Sequence, residues 1–381
     1  MFDKFVNLHS HSEFSALDGF ARFDDVTNED GEIVVQGITS KLKELGQSRF
    51  ALTDHGTLSG IQPAYTSLSK SGIQLLPGCE FYVVEDVTQQ QKQFQNHLVV
   101  IAKNKKGWEN ILKMNFISFE KGSRMIFDRI VGRINLKTLA EHSEGLVISS
   151  ACLAGVPTWD IKNGEFKKAE EHVKLMKKLF PDSYFLEVQC VEYYHRLDQN
   201  SEELEVDKQW IERQAKDQKH ANDRIVDLAD KLKVPVVITL DSHYVNREDR
   251  DSHLLLLAVQ SKTSIITPAF AATGGSGRLA FEATPMMSSD EMIKILTEKE
   301  SGFNGYDKGQ VEDWINNTEI AANLCETPKY LDPTGYKIPL FPVEQAKDYQ
   351  KFLKWQSMLD PEVKSKILSD SEEFLKTRIK G

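Results

Sequence analysis

The chain alternates short apolar runs with helix-like stretches, and most of those runs end in a histidine, an acid or a cysteine. The runs cover residues 5–9, 50–53, 73–80, 97–102, 146–150, 184–189 and 234–240. Helical patterns at 107–119, 165–179 and 202–232 fall after or between them. Such alternation predicts parallel βαβ units. Seven units with polar residues at strand ends predict a distorted (β/α)7 barrel, which collects its chemistry at the C-terminal rim. An open doubly wound sheet is the alternative, but no Gly-rich phosphate loop follows the first run. Residues 24–37 read as an acidic loop, and the Gln-rich stretch 87–95 as a solvated hairpin tip or loop.

At 381 residues and 40% hydrophobic content the chain can bury a large core and a smaller second domain. Character changes after residue 260, where Gly274, Gly275 and Gly277 give a flexible break, so a boundary is expected at about 260–280. Helical patterns follow around 289–298 and 309–325, then a Pro-containing connector at 327–342 and a charged tail. No apolar run is long enough to span a bilayer, and Met1-Phe2-Asp3-Lys4 lacks the features of a signal peptide. A cytoplasmic protein with no membrane partner is expected. Cys79, Cys152, Cys190 and Cys325 are far apart with no CxxC spacing, which argues against a disulfide framework or a zinc ribbon. Cys152 is then available as a ligand. The net charge of −10 counts against tight nonspecific duplex binding. It leaves room for a metal-centred phosphate site, because three divalent ions would outweigh Asp18, Glu80, Asp241 and a Cys152 thiolate.

The strand ends carry the chemistry. His9-Ser10-His11 follows an apolar run, and residues i and i+2 of an extended chain share a face. Two converging imidazoles suit a transition metal, although a polar strand end reads the same way. Asp18 before Gly19 adds a carboxylate, or simply an Asx turn. Leu52-Thr53-Asp54-His55-Gly56 ends an apolar strand in a histidine, with Asp54 a candidate to orient an imidazole. Glu80 closes another run and has two oxygens, enough to bridge two ions; Cys79, its neighbour, faces the core. Cys152 follows Leu146–Ala151 among small residues. Asp241-Ser242-His243 repeats the i, i+2 pattern at the end of the last strand, beside His9 and His11. His97 opens its run instead of closing it, and strand geometry alone does not place it. His142, His172, His195, His220 and His253 read as solvated or structural.

Taken together the clusters resemble the PHP (polymerase and histidinol phosphatase) family, closest to the PHP domain that begins bacterial DNA polymerase III alpha subunits. The resemblance rests on Asn7–Gly19, Leu52–Gly56, Ser149–Gly155 and Thr239–Tyr244, with Arg133-Ile134-Asn135 as a further match. It implies a distorted seven-stranded barrel at 1–265 and a mainly helical extension at 266–381, similar to the stretch leading into the polymerase palm. It also implies up to three divalent ions, Mn²⁺ or Zn²⁺. His9, His11, Glu80 and Asp241 would surround the first, Glu80 would bridge to a second held by His97 and Cys152, and Asp18, His55 and His243 would hold the third. Glu80, Asp241 and His243 are the expected catalytic residues. Candidate phosphate contacts are Lys121, Arg124, Arg129 and Arg133, which also read as a solvated charged loop.

The expected activity is a metal-dependent phosphoesterase, a proofreading-type 3′–5′ exonuclease acting on a single-stranded or primer–template DNA 3′ end. A small-molecule phosphatase of the histidinol-phosphate type is the alternative. A non-catalytic, metal-stabilised scaffold docking a polymerase body or a proofreading exonuclease is the third reading. No run resembles the palm's catalytic carboxylates, so the chain is expected to be a fragment or a free-standing PHP protein that does not itself polymerise DNA.

Overall fold

The structure is a computed structural model, and it describes residues 3–89, 94–126, 129–192, 205–264, 284–298, 305–332 and 361. A hairpin of β1 (Val26–Thr27) and β2 (Ile33–Val35) precedes α1 (Ile38–Leu45), β3 (Arg49–Leu52), α2 (Ile61–Lys70), β4 (Gln74–Val83) and β5 (Asn96–Ala102). Next come α3 (Lys105–Gly122), the short β6 (Arg124–Ile126), β7 (Arg129–Val131) and β8 (Arg133–Ile134), then α4 (Leu136–Glu141) and β9 (Leu146–Ser149). Helices α5 (Val156–Lys162) and α6 (Phe166–Leu179) lead to β10 (Tyr184–Gln189), α7 (Glu205–Leu232) and β11 (Val236–Thr239). Helices α8 (Arg250–Gln260), α9 (Ser289–Thr297) and α10 (Lys308–Asn323) follow among the described residues.

The main sheet runs β11-β10-β9-β5-β4-β3, with β8 beside β4. Asn7 bridges to Phe50 and Ser10 to Ser242, so the first apolar run joins the two ends of this strand path. The result is a curled, distorted α/β half-barrel with a helical C-terminal region. Pairing is parallel for β3–β4, β9–β10 and β10–β11. Strand β5 departs from the expected all-parallel plan, because it runs antiparallel to both β4 and β9. Its link to β4 is a hairpin, which needs no crossover helix; residues 90–93 of the Gln-rich stretch lie outside the described residues. The expected loop at 24–37 is also corrected, since β1 and β2 pair within it, Val26 opposite Val35.

Alternation along the strands explains how one sheet builds both a core and a site. One face buries Cys79, Phe81, Leu98, Val100, Ile148, Leu186, Val188 and Ile238 in a cluster shared with Met114 of α3, Ile161 of α5, Val173 of α6 and Ile225 of α7. The opposite face buries Ala51, Leu76, Val99, Ile101, Val147, Phe185 and Val237 at the bottom of the curl. Continuing along that face by two or four residues reaches His55, Glu80, His97, Glu187 and Asp241. In β5 the count runs backward, from Ile101 through Val99 to His97, because the strand is reversed.

Helix α10 covers the opposite end. Its Ala321 and Ala322 join the bottom cluster, Asn317 donates to the Val236 carbonyl at 2.7 Å, and Thr318 Oγ1 accepts from Val6 N at 3.0 Å. Arg49, at the start of β3, reaches Asn323 and Glu319 at 2.6 and 3.2 Å. Residues Met1–Leu331 form one compact unit. The apolar positions of α10 cover barrel bottom that would otherwise face water. The Gly-rich break at 274–277 and nearly all of the tail after 332 lie outside the described residues.

Candidate metal centre

Strand ends and the loops beside them bring the nine expected ligand residues to one rim, with Glu80 inside β4 and His97 at the start of β5. His55 bridges to Glu80, and the Gly56 N–H donates to the Glu80 carbonyl at 2.9 Å. Gly56 has φ +60°, so the chain turns away directly after the imidazole. The loop bearing His11 and Asp18 closes on itself so tightly that a Cβ on Gly19 would lie 2.0 Å from the Ser12 carbonyl oxygen. Asp54 pins that loop: it accepts from Ser12 N at 2.7 Å, Ser12 Oγ at 2.9 Å and Ser15 Oγ at 2.8 Å. Asp54 thus orients the loop, and Ser15 Oγ in turn lies 3.3 Å from His11 Nδ1. Burial pushes the Asp54 carboxyl up to about 6, against those hydrogen bonds. Ala151 and Asp241 both take left-handed backbone (φ 60° and 52°), uncommon for residues with a Cβ, and each turns a loop just where a ligand-type side chain is needed. His97 reaches the same rim from the start of β5, paired with Tyr82 across the sheet.

The side chains face one another at close range. His9 Nε2 lies 3.1 Å from Glu80 Oε1 and 3.3 Å from Asp241 Oδ1. His11 Nε2 is 3.1 Å from Asp241 Oδ1 and 3.7 Å from Glu80 Oε2. His55 contacts Glu80 through Nδ1 at 2.5 Å and Asp18 through Nε2 at 3.1 Å. His97 Nδ1 is 2.9 Å from Glu80 Oε1 and 3.4 Å from Cys152 Sγ, and that sulfur lies 4.0 Å from Glu80. His243 Nε2 is 3.8 Å from Asp18 Oδ1. Three sets, His9/His11/Asp241, His55/Glu80/His97 and His11/His55/His243, each place their donor atoms within 4.8 Å of one another.

The hydrogen-bonding pattern fits a divalent ion. His9 Nε2, His11 Nε2, Asp18 Oδ1, His55 Nδ1, Glu80 Oε2 and Asp241 Oδ1 are buried without a well-directed hydrogen bond among the described residues. Buried polar atoms are seldom left so, and lone pairs aimed at a shared volume suit a cation. Burial, then the neighbouring His55 and His243, lowers the His11 imidazole to about 3, so it is a neutral donor. Burial opposes charge on Glu80, but His97, His55 and His9 overcome it and hold the carboxyl well below its usual range. Asp18 and Asp241 are held low in the same way, chiefly by His55 and by His9 respectively against burial. Burial, then Asp241 and Glu80, pushes the Cys152 thiol well up, an environment that a nearby cation would reverse.

The expected phosphate contacts whose side chains are described differ in their surroundings. Arg133 is among the largest fully buried side chains, and its guanidinium donates to the Gly122 carbonyl at 2.8 Å and the Val87 carbonyl at 3.1 Å. It closes the end of α3 onto the loop after β4 through Nε and Nη2, while Nη1 is buried without a hydrogen-bond partner among the described residues. Lys121 is exposed and Arg124 half-buried, while the side chain of Arg129 lies outside the described residues. Sequence reasoning also missed Glu187 and Gln189. Glu187 accepts from His9 Nδ1 at 2.9 Å, and Gln189 Nε2 donates to Asp241 Oδ2 at 3.2 Å. The signal was there: Phe185-Leu186-Glu187-Val188-Gln189 places two polar residues at i, i+2 in an apolar strand. His253, read as solvated or structural, is buried, its ring 5.6 Å from that of His243.

The PHP domain family model matches residues 7–190. DNA polymerase III subunit alpha of Aquifex aeolicus is 29% identical over 92% of this chain and 27% of its own length. The same subunit of Borreliella burgdorferi is 32% identical over 88% of this chain and 25% of its own length. The chain therefore spans about a quarter of the length of the curated relatives it matches. Among solved structures, an amidohydrolase from Chromobacterium violaceum with bound sulfate and no metal has a TM-score of 0.25 and 15% identity, over 64% of this chain and 89% of that one. No helix among the described residues is long and apolar enough to cross a membrane. With the family match and the polymerase relatives set beside the rim just described, residues 7–190 of this chain match the PHP domain family, and most of the chain is similar to about a quarter of the length of DNA polymerase III alpha subunits.

Proposed function

We propose that the rim is a divalent-metal phosphoesterase centre that hydrolyses DNA from its 3′ end. One observation carries the reading: His9, His11, Asp18, His55, Glu80, His97, Cys152, Asp241 and His243 converge on a single rim, with six of their donor atoms buried and without directed hydrogen bonds. Imidazole, carboxylate and thiolate donors together suit Mn²⁺ or Zn²⁺ better than Mg²⁺. Divalent ions supply Lewis acidity, a nucleophilic water at neutral pH and a clamp on phosphate oxygens.

The chain's own residues do the positioning. Glu80 is central: its two oxygens face His9 and His97 on one side and His55 and His11 on the other, the arrangement a bridging carboxylate needs. Asp241 sits between His9 and His11 and completes the first ligand group. His243 donates Nδ1–H to the Asp241 carbonyl at 2.8 Å, which fixes its tautomer and turns the basic Nε2 toward Asp18. In this reading Glu80, Asp241 and His243 are the catalytic residues. His55 faces both Glu80 and Asp18, so the rim supports up to three ions as one connected cluster. Likeness to polymerase subunits over most of the chain supports DNA as substrate and a polymerase body or proofreading exonuclease as partner. With Arg133 engaged elsewhere, Lys121, Arg124 and Arg129 remain the candidates for guiding the strand.

The test is degradation of a 3′-labelled, mismatched primer–template with Mn²⁺, run beside Asp241→Asn. Metal-dependent loss of label by the unsubstituted chain alone is expected. Full activity in Asp241→Asn would overturn the reading. Intact DNA in both samples, with metal bound, would move it to a small phosphomonoester substrate or a scaffold.

A further inference from the structure

Strand β10 ends at the rim without contributing any of the nine side chains, yet its two inward residues touch two of them. Glu187 is fully buried and accepts four hydrogen bonds. Oε2 takes His9 Nδ1 at 2.9 Å and Thr239 Oγ1 at 2.7 Å; Oε1 takes Ala151 N at 3.1 Å and the hydroxyl of Ser149. Its own backbone N–H donates to Ser150 Oγ at 2.8 Å. A carboxylate saturated in this way is fixed in place and has little left to offer an ion directly. What it offers is a strong acceptor for the N–H of an imidazole whose other nitrogen faces Glu80 and Asp241.

We infer that Glu187 is a positioning residue: it holds His9 as the Nδ1–H tautomer with Nε2 aimed into the centre, while Gln189 steadies Asp241 through Oδ2. Outer carboxylates of this kind set the orientation and basicity of a ligating histidine. Gln189 is itself anchored by Asn222 of α7, which donates to its carbonyl at 2.9 Å and accepts from its N–H at 3.3 Å. Strand β10 and α7 thus brace the half of the rim that holds His9 and Asp241. The inference rests on the reading of the rim as a divalent-ion centre.

Glu187→Gln separates this role from simple packing. The Ala151 N–H can only donate, so the carboxamide oxygen stays with it and the NH₂ group turns to His9 and Thr239. An NH₂ there favours the opposite His9 tautomer, whose Nε2–H cannot ligate. Calorimetric titration of the metal-stripped full chain with Zn²⁺ is expected to show one class of site weakened about ten- to a hundredfold in the variant. The melting temperature of the metal-free protein checks that the variant is folded. A variant isotherm matching the parent's would overturn the inference and leave the metal reading intact. A parent chain that binds no Zn²⁺ would overturn both. A second measurement needs no variant: ¹⁵N spectra of the Zn²⁺-loaded parent should show His9 protonated at Nδ1 and coordinated through Nε2. Coordination through Nδ1 would overturn the inference.

Discussion

Two groups of charged residues looked alike as clusters in the sequence, and the fold treats them in opposite ways. The histidines, acids and cysteine of the strand ends come from six separate places in the chain, Asn7–Gly19 through Asp241–His243, and meet within a few ångströms. The cations Lys121, Arg124 and Arg133 are close in sequence and meet different surroundings. Arg133 turns inward to close two backbone carbonyls, and Lys121 stays in water. Proximity along the chain was therefore the poorer guide. Position on a strand, counted in steps of two from an apolar floor, was the better one, because the sheet forces that geometry.

The contrast can be broken or sharpened by experiment. The largest effect is expected for Arg133→Ala, which leaves the Gly122 and Val87 carbonyls without their donor and opens space in the core. Losing these bonds should cost about 3 kcal/mol in urea-induced unfolding. A variant as stable as the parent would return Arg133 to the solvated loop. Next in size is the ion itself. At a free concentration about a hundred times its dissociation constant, Mn²⁺ or Zn²⁺ should stabilise the chain by about 2.7 kcal/mol, read as a rise in melting temperature. His9→Ala should lose much of that rise. Equal rises in both proteins would show that the ion acts elsewhere. The smallest effect is expected for Lys121→Ala, within about 0.5 kcal/mol in stability. If Lys121 guides DNA, the same variant should raise KM for an oligonucleotide and leave kcat nearly unchanged. An unchanged KM would remove Lys121 from the strand's path.

What could be read from sequence was whatever follows a regular period. The i, i+2 spacing of His9/His11 and Asp241/His243, and the apolar runs before His55 and Glu80, place these groups at one rim once a barrel is assumed. His97 broke the rule because β5 is reversed, and nothing local in Asn96–Ala102 encodes strand direction. Only pairing with β4 and β9 does so. Arg133 misled for a related reason: the carbonyls that hold it belong to residues 87 and 122, which only the folded chain brings together. Glu187 was passed over because its partners, His9, Ser149, Ala151 and Thr239, come from three other segments. The place of α10 was hidden likewise, since its buried face meets the barrel floor at residues more than 300 positions earlier in the chain (Val6 N to Thr318).

The most direct measurement is the metal content of the purified chain after equilibration with Mn²⁺ or Zn²⁺ and removal of free ion, compared with Asp241→Asn. The account predicts roughly two to three equivalents per chain, with at least one lost in the variant while its fold is kept. Less than one equivalent in the parent, or identical content in both, would contradict the claim that these side chains form one metal centre.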